Sequence, residues 1–380
     1  MQNVVYRKAL PEEREKYIDF ANMVFSTAHC PHNFKTLIPK AYGDGRESAH
    51  YHNLAVREDG CIRGLVAALP NHLKVGDTVL KTSFIGTVSV HPYARSEGHM
   101  KKLMQMTIED MVSSGVDMGM LGGQRQRYEY FGFTQGGIQL SHHISRTNLR
   151  HVLAGEAGPA IVVRDVKEKG DEELIARCAQ MNAERPISAG RSAEEFALIA
   201  KTWDKGLKII EQEGKFAGYV ICEGASMTEL QLTDWSLTPW VIKNLLDNSN
   251  DDNARIHTGA LETGLNRELA KVEEGVNIEH FEMVRIFNFP KVIGALLRLQ
   301  ADAYGLADGK RSFVIDGKPM TVTVTVGVPS VTEEAGEDAL VLTAMEAQML
   351  FLNQSGSLLV DRLPMGWAPL PLFMSHTDGF

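Results

Sequence analysis

Phe84-Ile-Gly-Thr-Val-Ser-Val-His-Pro-Tyr-Ala-Arg-Ser-Glu-Gly-His-Met-Lys101 decides the reading of this chain. Residues 84–90 form an apolar strand pattern, and a short turn carrying Arg95 and Gly98 follows. A helical spacing then opens over about 98–114, with Met100, Leu103, Met104, Thr107, Ile108 and Met111 on one face. A strand that passes through a tight turn into a helix leaves a nest of free backbone N–H groups with the helix dipole behind them. That arrangement holds a phosphate or pyrophosphate. Gly98 permits close backbone approach and Arg95 supplies positive charge. An ordinary strand–helix connection is the alternative, and the residues alone leave both open.

Outward from this segment, strand and helix patterns alternate through the first 145 residues. Residues 4–8 read as a strand, and 11–25 as an amphipathic helix opened by Pro-Glu-Glu. Strands at 54–57 and 62–70 flank Glu58-Asp59-Gly60, a hairpin signal, and Gly76-Asp77 turns the chain into the 84–90 strand. Gly115 ends the helix, a short buried strand follows at 117–121, a helical turn at 128–131, and a strand at 138–144. Ala154-Gly-Glu-Ala-Gly-Pro159 reads as a linker before a strand at 160–166 and a helix at 172–182.

A faint repeat crosses the two halves. Residues 53–66 and 207–220 each give a strand, an acidic-Gly turn and a second strand with Gly at the same offset. A strand at 228–235 and a helix at 239–247 continue the order, but without the Arg-x-x-Gly turn. The pattern predicts a duplicated unit whose second copy is structural. After about residue 283 a helix (289–299), an alternating hairpin around Asp316-Gly317, a helix (344–352) and a strand (357–360) suggest a small α+β unit with a Pro-rich tail.

Composition bounds the function. A chain of 380 residues holds two or three ordinary cores, and no apolar run reaches the roughly 18 to 20 residues of a membrane span. The N-terminus reads directly as a strand rather than a signal peptide, so the expected compartment is the cytoplasm. Four scattered cysteines without a CxxC pair read as reduced thiols, and His29-Cys30-Pro31-His32 lacks the further ligands a metal needs. A net charge of −9 without a basic cluster speaks against nucleic acid and suits a cationic substrate. Trp235 and Trp240 are expected between domains, and one of His142 and His143 is expected to face solvent.

The edge of the 84–90 strand can offer N–H and C=O groups to an extended ligand before the turn offers N–H groups to a pyrophosphate. A long ligand bearing both amides and a pyrophosphate is a description of coenzyme A. Here the sequence resembles a family. Val88-x-Val90-x-Pro92-x-x-Arg95-x-x-Gly98 is similar to the acetyl-CoA signature of GNAT N-acetyltransferases. With Phe34-Lys-Thr-Leu-Ile-Pro-Lys-Ala-Tyr42, Arg127-Tyr-Glu-Tyr-Phe-Gly-Phe133 and the C-terminal unit, the chain resembles the Eis (enhanced intracellular survival) group. The resemblance implies an α/β and α+β architecture with two tandem GNAT-like domains. Residues 1–150 would bind acetyl-CoA, 151–284 would form a second copy without cofactor, and 285–380 a sterol-carrier-protein-like domain.

On matching positions, the backbone around Val88, Ser89 and Val90 would hold the pantetheine arm and thioester. Arg95, Ser96, Gly98, His99, Met100 and Lys101 would form the pyrophosphate turn, and Gly123 and Gln124 would flank the cofactor's far side. Family members often carry a serine at the Gly123 position, so its hydroxyl contact is missing here. Tyr128 matches the family's general acid, and the C-terminal carboxylate of Phe380 its general base. Read without the family, Tyr128 is a packing residue beside Tyr130 and Phe131. Tyrosine, near pKa ~10, is matched to a thiolate leaving group, whereas an α-carboxyl near ~3.5 needs burial or a bridging water to deprotonate an amine. Some members carry an acid next to the last residue, where this chain has Asp378-Gly379.

The function expected from these residues is transfer of an acetyl group from acetyl-CoA to an amine, with aminoglycosides or other polyamines as acceptors, by direct attack in a ternary complex. The family implies a homo-oligomer, often a hexamer. Two other readings stand beside it: an apolar-ligand carrier acting through the C-terminal unit, and a scaffold that binds acetyl-CoA without turnover.

Overall fold

The structure is a computed structural model and describes residues 3–167, 169–354 and 363–380. In the first stretch run β1 (Val4–Lys8), α1 (Arg14–Ala28), α2 (Phe34–Leu37), α3 (Pro39–Tyr42), β2 (His52–Arg57), β3 (Ile62–Val75), β4 (Thr78–Val90), α4 (His99–Ser113), β5 (Met118–Leu121), α5 (Arg125–Tyr128) and β6 (Thr134–Gly136). The predicted strand–turn–helix segment is there, and Gly115, at φ +70, stops α4 in the left-handed conformation that glycine adopts freely. Leu103, Met104 and Met111 on the buried face of α4 pack against Val66 and Ile85 of the sheet.

The second stretch holds β7 (Gln139–Ser145), α6 (Arg146–Val152), β8 (Ile161–Asp165), α7 (Glu172–Ala183), β9 (Ile187–Ala189), α8 (Ala193–Ile199), β10 (Gly206–Gln212), β11 (Lys215–Glu223), β12 (Ser226–Leu232), α9 (Thr238–Asp247), β13 (Asn253–Gly259), α10 (Thr263–Leu269) and β14 (Gly275–Glu279). The third holds β15 (Glu282–Ile286), α11 (Phe289–Tyr304), β16 (Gly309–Ile315), β17 (Lys318–Thr325), β18 (Val328–Thr332), β19 (Leu340–Leu342) and α12 (Ala344–Leu352). The strand suggested at 357–360 lies outside the described residues.

The fold is mixed α/β, and its sheets do not follow the three stretches. The first sheet has the order β1-β2-β3-β4-β5-β15-β6, with β9 added to the far end of β3, and the second has β8-β10-β11-β12-β13-β7-β14. Each has one parallel pair in the same place, β4 with β5 and β12 with β13. The strand expected at 138–144 therefore exists but pairs in the second sheet, and β15 fills the corresponding place in the first. The sequence repeat falls on β2–β3 and β10–β11. Its shared glycine has a packing cause in both copies: a Cβ on Gly64 would stand 2.8 Å from Leu103 of α4, and one on Gly218 would meet the backbone of Gln231 and Leu232.

A third sheet, β18-β17-β16-β19, packs with α11 and α12 around Phe313, Ile315, Val322, Phe351 and Trp367. The tail then returns to the first sheet with Leu370, Leu372, Phe373 and Met374 buried, as its apolar sequence predicts. Trp235 and Trp240 do not sit between units as expected. A Cβ on Gly264 or Gly158 would stand against their rings, so both tryptophans pack on glycines of the second stretch. His142 is buried, bonded to Thr258 and Glu273, while His143 on the opposite strand face is partly exposed.

Candidate active site

β4 and β5 pair in parallel from Thr82–Met118 to Ile85–Leu121 and then separate. β5 stops at Leu121, whereas β4 continues along β3 to Val90. A β-bulge in β4 re-aims its last residues, with Thr87 at φ +46 and a register shift opposite Leu65–Ala67. The buried Tyr42 hydroxyl holds the bulge through Thr87 Oγ1 at 2.8 Å. The separated strands open a cavity of about 1200 Å³.

Every sequence-predicted site residue except Ser89 lines this cavity: Val88, Val90, Arg95, Ser96, Gly98, His99, Met100, Lys101, Gly123, Gln124, Tyr128 and Phe380. Ser89 is buried, pairs with Leu65 across β3, and donates its hydroxyl to the Thr87 carbonyl. At the turn, Ser96 and Gly98 take φ +69 and +83, and the amides of His99, Met100 and Lys101 form the first turn of a 15-residue helix. Such first-turn N–H groups have no carbonyl one turn back to reach. The His99 ring is a structural strut, bonded to Tyr6 at 2.8 Å and Glu97 at 3.0 Å, so His99 offers its amide rather than its imidazole.

Tyr128, at the end of α5, is 9% exposed and its hydroxyl has no partner among the described residues. Burial raises its pKa above the ordinary tyrosine value, with Arg127 pulling the other way, so the group stays protonated. Gly123, where the resemblance implies a serine, has no room for a side chain: a Cβ there would stand 2.5 Å from Tyr128 Cε2. The tyrosine ring occupies the room that a side chain would need.

The two faces of the first sheet carry different groups. Ile85, Leu121, Met283 and Tyr128 belong to the face covered by α4, and Phe84, Met120 and Val284 to the face covered by the tail. Phe380 reaches the cavity from the tail face. Its ring stacks on Tyr42 with centroids 5.7 Å apart and lies over Gly86. Lys40 of α3 donates to the carbonyls of Thr377, at 2.7 Å, and Gly379. Burial pulls the Lys40 ammonium down to about 7 against the field of Asp378. Asp378 accepts two hydrogen bonds of 2.7 Å from Arg191, whose other arm binds Glu229 at 2.8 Å. Glu229 also binds Arg185 at 3.1 Å. This buried chain of charges ties the end of the tail to β12.

Sequence reasoning missed Lys40, Arg191, Trp203, Glu282 and His376. Trp203 lines the cavity from the second stretch at φ +58, a conformation that bulky residues rarely adopt. Glu282 begins β15 on the tail face. Its side chain is 18% exposed, and desolvation raises its pKa to about 7. His376 Nδ1 stands 3.9 Å from Glu282 Oε1, and its Nε2 is 2.7 Å from Gln139 Oε1. Burial, with His257 beside it, lowers His376 to about 4 and keeps it neutral.

Residues 5–136 match the family model described as acetyltransferase (GNAT) domain. No curated protein matches the sequence. Among solved structures, the chain is similar to a GCN5-related N-acetyltransferase from Anabaena variabilis over the whole of both chains, with 16% identity and a TM-score of 0.68. A GCN5-related N-acetyltransferase from Kribbella flavida is 14% identical, with 100% of this chain and 99% of that one covered and a TM-score of 0.68. Eis1 from Mycobacterium abscessus is 14% identical over both whole chains, with a TM-score of 0.61. At such identities the likeness is one of fold, and it runs from end to end.

Proposed function

We propose that this chain, whose residues 5–136 are a GNAT acetyltransferase domain, is an N-acetyltransferase of the Eis type that moves the acetyl group of acetyl-CoA onto an amine. The observation that carries this reading is one continuous cavity at the β4/β5 separation. It joins an anion nest at the start of α4 to Tyr128 on one sheet face and Phe380 on the other. The residues present fit acetyl-CoA as co-substrate. The strand edge beyond Ile85 is released from β5, and the amides of the first turn of α4 and Arg95 suit a pyrophosphate.

Under this reading Tyr128 gives its proton to the departing thiolate. The terminal carboxylate of Phe380 receives the amine on the opposite face. The two groups serve different atoms of the tetrahedral intermediate, the acid meeting the departing sulfur and the carboxylate the entering nitrogen. Two further elements belong to the proposal. The second sheet, with the strand order of the first, is a GNAT-like copy without cofactor, and the C-terminal unit is a sterol-carrier-like domain that delivers the tail. No described helix is long and apolar enough to cross a membrane. A homo-oligomer, hexameric as in the family, completes the proposal and is checked by light scattering.

Two acceptor classes fit: polyamines such as aminoglycosides, attracted by the net charge of −9, and amines on an apolar body, matched to Val24, Phe25, Phe34, Ile38 and Trp203 in the wall. Release of CoA thiol with a panel of both classes tests the function. Acetylation of at least one amine is expected. Tight acetyl-CoA binding with no acetylation of any amine would reject it in favour of a scaffold.

A further inference from the structure

We propose that Glu282 is the proton acceptor for the incoming amine, leaving the Phe380 carboxylate to hold the ammonium in place. The inference rests on the N-acetyltransferase reading and refines its chemistry. Strand pairing sets the position of the group: Met283 is opposite Leu121, so Glu282 stands beside Gly122, where β5 parts from β4. Gly122 makes the room, since a Cβ there would be 3.2 Å from Glu282 Oε2. Strand alternation puts Glu282 with Val284 and Ile286 on the tail face, across the sheet from Tyr128.

The neighbours of Glu282 form a receptor for an N–H donor. The Gln139 amide orders the two histidines around it. Its oxygen takes the N–H of His376 Nε2, and its nitrogen faces His257 Nδ1 at 3.1 Å. In that arrangement a neutral His376 turns its Nδ1 lone pair toward Glu282. Two acceptors 3.9 Å apart can both lie about 2.8 Å from one ammonium nitrogen, an ordinary hydrogen-bond length. No other Asp or Glu side chain lines the cavity among the described residues. The charged or titratable groups that share this place with Glu282 are His376 from the tail with His257 behind it, His280 two residues earlier on its own segment, Arg127 and Tyr128 from the cavity lining, and the terminal carboxylate of Phe380. Apart from the terminal carboxylate of Phe380, to which the holding role falls, these groups are neutral or cationic, and Glu282 is the side-chain carboxylate among them.

The ammonium passes one proton to the Glu282 carboxylate, and the freed lone pair forms the N–C bond with the acetyl carbon. The C–S bond breaks and the thiolate takes the proton of Tyr128. The second surplus proton on nitrogen leaves through solvent and restores the tyrosine. The proton on Glu282 is released, so each turnover yields one amide, one CoA thiol and one proton.

Glu282→Gln tests the assignment in the full chain. Wild-type kcat/KM is expected to rise with pH through about 7, because the base works deprotonated. The variant should lose that limb and about 10²- to 10⁴-fold in rate, the usual contribution of a general base, with acetyl-CoA affinity kept. Glu282→Asp should recover part of the rate with a shifted limb, and it serves also if the Gln variant folds poorly. A Gln variant within about threefold of wild type, or one that keeps the limb, overturns the inference and returns the base to Phe380. A wild-type protein that binds acetyl-CoA but acetylates nothing overturns the enzyme reading itself, and this inference with it.

Discussion

Gly86 is the point where the tail meets the sheet, and a single methyl group there tests how the end of the chain is placed. A Cβ at this position would lie 2.5 Å from Phe380 Cγ, and closer still to the ring edge. Carbon atoms in contact sit about 3.5–4.0 Å apart, so Gly86→Ala must push the ring away by at least roughly 1 Å. The backbone at Gly86 is extended, paired with Ala67, and accepts alanine without strain. The ring is half-buried at a chain end, which keeps the stability cost near the low end of the overpacking range, about 1 kcal/mol. Activity should suffer more. A misplacement of about 1 Å at a reacting group can cost ~10²-fold, so kcat is expected to fall by about that factor while the acetyl-CoA affinity, read by calorimetry, moves less than about twofold. Phe380→Ala provides the control. In the double variant the small side chain no longer collides, so the loss should equal that of Phe380→Ala alone rather than the product of the two. A Gly86→Ala enzyme within a few-fold of wild type, or strictly multiplicative losses in the cycle, would refute placement of the terminus by this ring contact.

Tyr128→Phe removes one oxygen and leaves the ring over Gly123. A fall of about 10²-fold in kcat is expected, largely restored by an acetyl thioester with a more acidic thiol, which needs no proton to depart. Asp378→Asn breaks the two-armed bond to Arg191 inside a dry network. Removing one partner of a buried pair costs about 3–5 kcal/mol, read as an earlier denaturation onset and proteolysis of the tail. Glu282 also predicts a pH dependence of stability. Between about 4.5 and about 7 the folded chain holds a proton that the unfolded chain has released, so stability falls as pH rises through that window. The shift of about 2.5 units corresponds to roughly 3 kcal/mol at 1.36 kcal/mol per unit. Glu282→Gln should therefore exceed wild type by up to about that much at pH 8 and match it at pH 4, in denaturant titrations at both pH values.

Legibility in the sequence follows the range of the interaction. The strand, turn and helix at 84–113 depend on neighbours a few residues apart, and both the apolar spacing and Gly98 report them directly. The strand edge at Val88 and Val90 and the turn with Arg95 and Gly98, to which the family resemblance added Ser89, Ser96, His99, Met100 and Lys101, came from that local signal. Tyr128 did not, because a tyrosine between Arg127 and Tyr130 carries no periodic mark, and only the family resemblance singled it out. Glu282 was illegible for a different reason. It comes to the cavity on a strand that starts about 160 residues after β5 ends, so no spacing rule connects it to Gly122. One signal was available: a lone acid at the alternate positions shared with Val284 and Ile286, where an apolar residue belongs. Lys40 and Arg191 are isolated cations whose partners, Gly379 and Asp378, lie some 340 and 187 residues away. Single charges of this kind look like solvated surface until the fold pairs them.

The two sheets differ at the turn that, in the proposed function, receives the pyrophosphate. Both have a parallel pair at the same place in the order, and in both a helix, α4 or α9, connects the two strands of that pair. In the second sheet, however, Asp234 accepts the Ser236 amide at 2.9 Å, so the turn before α9 answers its own N–H with a carboxylate. An anionic ligand would meet a negative charge there instead of a nest. In the first sheet the equivalent turn contributes Gly98 and no acidic side chain to the cavity. The exchange of strands then makes the remaining site a property of the whole chain. β7 leaves the first stretch to complete the second sheet, and β15 returns with Glu282 to complete the first. The tail, bonded to β12 through Asp378, Arg191 and Glu229, closes the same cavity with Phe380. A binding turn encoded within twenty residues thus acquires its base from one distant segment and its boundary from another. The second sheet holds the tail end of that boundary through Glu229 of β12.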